Sequence, residues 1–221
     1  MEKEMLSARL LTVCSLIAPC KTVVDVGSDH GKLSSYCLKN KICEHVIATD
    51  IHELPAQRTK ERLDEDGFSD RSEVLFSDGL TDVHLTKDIT VVIAGMGGLE
   101  ICKILKEALN KEEGIPEGTS FVLQPQRSHY EVREFLSQQG FSIRNEKIMK
   151  EKGHWYSALF AVYTKEKYDL SEEQKHFGPV ILKERPEEFG EYMAHQKKVM
   201  EKRALGDPVC KEILKNWEKL I

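Results

Sequence analysis

Four short segments of this chain carry residues whose types and spacing can do chemistry. The first is Asp25-Val26-Gly27-Ser28-Asp29-His30-Gly31. Two glycines four apart let a backbone turn tightly and approach a ligand closely, and the helix that follows can offer its first amides to a carboxylate. The second is Ala48-Thr49-Asp50-Ile51, twenty-five residues after Asp25 and so about one βαβ unit further on. A carboxylate there can accept both hydroxyl protons of a ribose. The third is Ser77-Asp78-Gly79-Leu80, where an acid can accept from an adenine amino group and a glycine leaves room for the ring. The fourth is Ala94-Gly95-Met96-Gly97-Gly98, a narrow backbone beside which a flat ring can pass. Any one of these acids alone reads as a helix cap or a solvated loop. Together they describe a site for an adenosine.

Such a site needs elements that deliver all four segments to one place. Thr22 to Gly27, His45 to Asp50, Glu73 to Phe76 and Ile89 to Ala94 are short β-branched or apolar runs, each ending at one of the segments. Helical stretches follow: Lys32 to Lys39, Leu54 to Asp66 with Gly67 as its C-cap, and Leu99 to Asn110. Leu6 to Ile17 predicts an opening amphipathic helix. Ser120 to Gln124 predicts a fifth strand, Tyr130 to Gln139 a helix, and Phe141 to Met149 and Trp155 to Tyr163 a strand pair joined at Glu151-Lys152-Gly153. Strands alternating with helices give a mostly parallel sheet, and a pair closed by a short turn is antiparallel. In such a sheet ligands bind beyond the carboxyl ends of the strands. From residue 168 no strand signal remains, and Pro179, Pro186 and Pro208 read as breaks in a helical segment.

Composition excludes several classes. The 221 residues are 40% hydrophobic and 31% charged, as in a folded globular protein. The net charge of −5 argues against a protein that coats nucleic acid through a general positive surface. The apolar run Met5 to Ala18 is interrupted by Ser7 and Arg9, is too short to span a bilayer and has no signal-peptide flanks, so we expect no membrane segment and a cytoplasmic location. Six cysteines make no C-x-x-C pair and eight histidines no ligand spacing, so no metal is expected. The first loop lacks the third glycine of G-x-G-x-x-G, which favours S-adenosylmethionine over a nicotinamide. The fourth segment also lacks a D/N-P-P-Y/F motif, which argues against an exocyclic-amine target.

The D-x-G-x-x-x-G pattern of Asp25, Gly27 and Gly31 resembles the first motif of S-adenosylmethionine-dependent methyltransferases, and the element order resembles their class I fold. More specifically, Gly27-Ser28-Asp29-His30, Ser77-Asp78-Gly79-Leu80, Ile93-Ala94-Gly95-Met96-Gly97-Gly98 and Leu123-Gln124-Pro125-Gln126 resemble the TrmK family in order and spacing. Its members are bacterial tRNA (adenine-N1)-methyltransferases acting on adenine 22. Leu6-Ser7-Ala8-Arg9-Leu10 and Phe177 to Glu184 extend the resemblance over about residues 6–205. The chain departs from the family at Gly31-Lys32-Leu33-Ser34, where Ala-Tyr-Leu-Pro is usual, and at Asp50, where Glu is usual.

The resemblance implies an α/β class I methyltransferase, Rossmann-like, with a mostly parallel seven-stranded sheet over residues 1–167 and a small helical C-terminal domain over 168–221 that helps hold tRNA. S-adenosylmethionine would be bound by Asp25, Gly27, Ser28, Gly31, Asp50, Ile51, Asp78, Gly79, Gly95, Met96 and Gly97. Asp29 and His30 are the catalytic candidates. Asp29 either stabilises the positive charge moving onto the base or orients the loop and the cofactor ammonium; His30 either orients the base or packs under the loop. Gln124, Gln126, Arg127, Tyr130, Lys152, His154 and Trp155 are the substrate candidates, with Trp155 open to a core role instead. The partner is tRNA, and the protein is expected to be a monomer. A methyltransferase of small molecules or proteins, or a nucleotide-cofactor-binding protein without catalysis, is the alternative. Residues 44–88 carry twelve acids and five bases, a net −7, whereas residues 147–167 carry a net +3. RNA is therefore expected at the 147–167 hairpin and the C-terminal helices, leaving the 54–73 face free.

Overall fold

Seven strands build one sheet, in the order β3-β2-β1-β4-β5-β7-β6, in a computed structural model that describes residues 6–221. Residues 1–5, with which the expected first domain begins, lie outside the described residues. The strands are β1 Cys20–Val26, β2 Cys43–Asp50, β3 Ser72–Phe76, β4 Ile89–Met96, β5 Ser120–Pro125, β6 Phe141–Glu151 and β7 His154–Tyr163. Strands β1 to β5 are parallel to one another, and β7 is antiparallel to both β5 and β6. Helices α1 Ala8–Cys14, α2 Lys32–Lys39, α3 Glu53–Glu65, α4 Gly98–Leu109 and α5 His129–Gln138 link or flank them. The expected α/β architecture, its seven strands and its antiparallel closing pair are what the chain forms.

Register explains why the chemical segments meet. Val26 pairs with Thr49 on one side and with Ile93 on the other. The residues that follow, Gly27, Asp50 and Ala94, therefore leave the sheet at one level, where the strand order reverses between β1 and β4. Two apolar layers bury the strands: one holds Val24, Val91, Ile93, Ile101, Leu105 and Phe121, the other Val13, Val23, Leu33, Val46, Val92 and Val122. Alternate residues of one strand thus enter opposite layers.

Several boundaries differ from the sequence reading. The opening helix is shorter than the Leu6 to Ile17 periodicity suggests. Ser7 caps it by accepting from the Leu10 amide, and the chain leaves it at Ser15, ahead of Pro19. The β6–β7 turn is tighter, with only Lys152 (φ 48°) and Gly153 (φ 82°) between the strands, the two positive φ angles that a two-residue hairpin demands. Two of the three prolines read as breaks start helices instead. Pro179 opens α7 Pro179–Glu184 and Pro208 opens α9 Pro208–Lys215, where a missing amide proton costs nothing. With α6 Glu172–Phe177 and α8 Phe189–Arg203 they bury Phe177, Ile181, Tyr192, Met193, Met200 and Trp217 in a third cluster, which also takes Ile148 from β6.

A buried ion pair ties these helices to the sheet. Arg133 Nε lies 2.8 Å from Glu146 Oε1, with side chains 1% and 0% exposed. Arg133 Nη1 also donates to the Lys175 and His176 carbonyls at 3.1 Å, and Glu146 Oε2 accepts from the Val180 amide at 2.9 Å. Gly178, at φ 100°, passes so close to Glu146 that a Cβ would lie 2.8 Å from Oε1.

Candidate active site

The first loop is clamped from two sides. Gly27 and Ser28 donate their amides to the Thr49 carbonyl at 2.8 and 3.1 Å. Asp29 sits at φ 50°. Its amide donates to Asp50 Oδ2 at 3.3 Å, and its carbonyl accepts from the Thr59 hydroxyl at 2.8 Å. Thr59, on α3, also bonds the Ser28 hydroxyl at 3.0 Å. The loop therefore follows β2 and α3 as a rigid unit. Ser28 and Gly31 serve this clamp: with the Thr59 proton given to the Asp29 carbonyl, the Ser28 hydroxyl donates to Thr59, and a Cβ on Gly31 would press on the Thr59 backbone. Thr59 is a residue that the sequence reading missed, since a threonine inside a polar helix carries no motif.

Asp25 and Asp50 are both buried. Asp25 accepts from the Ser34 hydroxyl at 2.6 Å. Burial pushes its carboxyl up to about 6, against the lowering effect of that hydrogen bond. Asp50 Oδ1 accepts from the His52 amide at 2.9 Å, which leaves lone pairs on both of its oxygens. Asp78 is exposed just beyond β3, while Gly79 turns at φ 59° against Ile104 and accepts the Thr49 hydroxyl at 2.9 Å. Ile51 and Phe76, at the ends of β2 and β3, are 52% and 68% exposed. Large apolar side chains left open beside two acids offer a surface for a ring.

A cavity of about 330 Å³ lies at the switch point and brings together Arg9, Asp25, Gly27, Asp29, His30, Gly95 and Met96. The first and fourth segments, some seventy residues apart, thus share one wall. Asp29 presents its carboxylate there with 74% of the side chain exposed, and His30 Nε2 lies 3.6 Å from Asp29 Oδ1. A larger cavity of about 750 Å³ opens among Cys20, Cys43, Ile89 and Ser120. Those residues start their strands, so it lies at the amino end of the sheet, away from every acid named above. Parallel sheets bind ligands at the other end.

Gln124 requires a correction. It was expected to touch substrate, but it has no exposed surface. Its carbonyl oxygen accepts from Arg9 Nη1 at 2.7 Å and from the Gly95 amide at 3.1 Å, and its amide donates to the Pro125 carbonyl at 2.9 Å. It holds the fourth loop in place. Arg9 is the second residue that sequence reasoning missed as part of the site: the helix α1 brings it across to Gln124, 115 residues away.

Gln126, Arg127, Tyr130 and Trp155 line a second cleft of about 430 Å³, between the β5–α5 loop, β7 and α8. Its floor is bonded to the first cavity: the Gln126 amide donates to the Met96 carbonyl at 2.8 Å and the Gly98 amide to the Arg127 carbonyl at 3.0 Å. Lys152 and His154 line neither space and stand exposed at the hairpin turn. Trp155 is packed, with its ring edge-on to Tyr192 at 5.6 Å and Lys150 Nζ 5.4 Å from its centroid. The lysines of residues 147–167 do not form one patch. Ten-residue β7 separates the turn from Lys165 by roughly 30 Å. Lys147, Lys150 and Lys165 are also engaged by Ser15, Glu191 and Glu117.

The donor set suits S-adenosylmethionine. Gly27, Gly79 and Gly95 turn at positive φ, and a Cβ at Gly27 would collide with the Met96 terminal methyl. The loops are thus as close as a backbone-lined cradle requires. Buried carboxylates end two strands, and exposed apolar side chains flank them. A profile described as a methyltransferase domain matches residues 6–159. The tRNA (adenine(22)-N(1))-methyltransferase of Bacillus subtilis is 31% identical over 161 residues, 73% of this chain and 66% of that protein, so the match spans a little under two thirds of its length. A Streptococcus pneumoniae protein described as a candidate tRNA (m1A22) methyltransferase, solved in complex with S-adenosyl-L-methionine, superposes with a TM-score of 0.85 at 28% identity, over 98% of this chain and 99% of that one. The B. subtilis m1A22 tRNA methyltransferase TrmK superposes at 0.73 with 26% identity, over 97% and 95%. A sheet whose switch point gathers these acids and glycines, matched along its length by those proteins, places this chain in the methyltransferase-domain family and, within it, in the TrmK family.

Proposed function

We propose that this chain methylates N1 of an adenine in tRNA, at position 22 by its relatives, with S-adenosylmethionine as donor. The observation that carries the reading is the switch-point cavity, where Asp29 presents an exposed carboxylate beside the glycine-walled fourth loop. Asp50 accepts the ribose hydroxyls, Asp78 the adenine amino group, and Ile51 covers the ring. Asp25 and the amides of Gly27, Ser28 and Gly31 face the amino-acid tail, and Gly95, Met96 and Gly97 wall the methyl-donor end. S-adenosylmethionine supplies an electrophilic methyl group on a sulfonium sulfur.

Adenine N1 offers an in-plane lone pair, so this chain needs no general base. Positive charge develops on the base, and Asp29 stabilises it electrostatically. His30, within 3.6 Å of that carboxylate, orients it. Gln124 and Arg9 act indirectly, by fixing the fourth loop that aligns the base. Adenine N1 lies on the Watson–Crick edge, so the base must be unpaired or flipped out first. On this reading residues 168–221 help hold the tRNA, and the enzyme is cytoplasmic, monomeric and metal-free. No described helix is long and apolar enough to cross a membrane, and no group of three or more His, Cys, Asp or Glu among the described residues could hold a metal. The test is incubation with unmodified tRNA and labelled S-adenosylmethionine at several salt concentrations. Methyl transfer to a protein or small-molecule pool but not to tRNA would sink the reading.

A further inference from the structure

The second cleft holds an arrangement that cofactor binding does not use. Arg127 leaves the end of β5 and Arg203 the end of α8, and both line the cleft. Neither guanidinium has a hydrogen bond or ion pair with another described residue, and the lining includes one carboxylate, the exposed Glu131. Both arginines are exposed, so solvent screens them, and they add positive charge to one wall of the cleft. His129, in the same wall, is pushed down to about 4, chiefly by burial and then by Arg133 and Arg203. His176 is pushed down as well, by burial and then by Arg203, against the opposing effect of Glu172 and Asp207. An anion placed here would meet two cations that have no other partner among the described residues. The cleft also offers the Gln196 amide, which has no hydrogen-bond partner among the described residues, and the half-buried Tyr156 ring, which rests on the second apolar layer. Its volume is within the roughly 300–1,000 Å³ of small-ligand sites. A phosphate with a planar base attached fits guanidinium, amide and aromatic groups together.

Resting on the tRNA reading above, we infer that this cleft seats one unpaired nucleotide of the RNA beside the target adenine, its phosphate between Arg127 and Arg203 and its base against Tyr156. The two spaces share the fourth loop and the β5–α5 loop through the Gln126–Met96 and Gly98–Arg127 backbone bonds. A strand that delivers its adenine to the cavity therefore places its neighbour in the cleft. This assigns α8 a defined contact in place of a general charged face.

The experiment uses the full chain, an unmodified tRNA transcript, and the variants Arg203→Gln, Arg127→Gln and Lys60→Gln. Lys60 lies on the exposed face of α3. Affinity for tRNA is measured across a salt series, S-adenosylmethionine affinity by calorimetry, and kcat and KM for methyl transfer. Arg203→Gln should weaken tRNA binding about tenfold, as loss of one good charged contact does. It should also flatten the slope of log affinity against log salt by about 0.7, the value for one phosphate on a single strand. It should raise KM for tRNA, and cofactor affinity should not change. Arg127→Gln should do the same to tRNA binding, and Lys60→Gln should do nothing. If the wild-type chain methylates tRNA and Arg203→Gln keeps its affinity and salt slope, the cleft assignment is wrong while the tRNA reading stands. Equal losses in Lys60→Gln would also overturn it, since the effect would be one of overall charge. If the wild-type chain neither binds nor methylates tRNA, the tRNA reading fails first and this inference with it.

Discussion

Asp25→Asn is expected to stabilise the cofactor-free chain above pH 6 while weakening its hold on S-adenosylmethionine. Asp25 is buried at the end of β1, and its carboxyl is raised from 3.8 to about 6, chiefly by burial. A folded value above the unfolded one means that folding favours the protonated acid. The stability that this contributes is fully present below pH 3.8 and is lost as pH rises through 6. A shift of about two units corresponds to about 3 kcal/mol. Asparagine removes the buried charge and keeps an oxygen to accept from Ser34, which donates at 2.6 Å. Urea unfolding of wild type and variant at pH 8, 6 and 4 is the assay. The variant should be more stable by up to about 3 kcal/mol at pH 8, with the gain shrinking to nothing near pH 4. For a chain of this size that corresponds to a melting temperature roughly 6–12 °C higher at pH 8. Equal or lower stability of the variant at pH 8 would refute the desolvation argument. The same variant should bind S-adenosylmethionine at least about tenfold more weakly, because Asp25 lines the cavity.

Four further outcomes follow from the geometry. Asp50→Ala should weaken cofactor binding in calorimetry and loosen the first loop as well, since Asp50 also accepts the Asp29 amide; Asp78→Ala, with an exposed carboxylate, should weaken binding without a change in melting temperature. Asp29→Asn should lower kcat roughly 10–100-fold with little change in cofactor affinity, because asparagine tolerates the φ of 50° that this position requires; an unchanged kcat removes Asp29 from catalysis. Arg133→Met should cost about 3–5 kcal/mol in chemical denaturation, because it leaves Glu146 buried without its cation; a loss below about 1 kcal/mol would mean that Glu146 finds water.

The sheet was legible because its signal is local. Val23-Val24 and Val91-Val92-Ile93 are the β-branched runs of strands buried on both faces, and Gly27 and Gly97 follow where the chain leaves the sheet. The acids of the site were legible for the same reason. What stayed hidden depends on long-range approach. Arg9 reads as an interruption in an apolar run, yet it bonds Gln124 across 115 residues. Gln124 reads as a free polar group at the end of β5, yet it is fully buried. Glu146 sits in a strand and Arg133 in an amphipathic helix, and nothing in either segment announces a buried pair between them. Five lysines counted along one hairpin suggest a patch, whereas strand length carries them to opposite ends. Pro179 and Pro208 can end a helix or begin one, and only the preceding Gly178 and the Asp207 cap decide for the latter.

The central claim is that this cavity delivers a methyl group to adenine N1 in tRNA. The most direct test incubates the full chain with an unmodified tRNA transcript and S-adenosylmethionine, then digests the RNA at neutral pH and identifies the methylated nucleoside and its position by mass spectrometry. The account predicts 1-methyladenosine at position 22, abolished by Asp50→Ala and reduced by Asp29→Asn. An N6-methyladenosine, a methylated pyrimidine, or tRNA left unmodified by a chain that binds S-adenosylmethionine would contradict it.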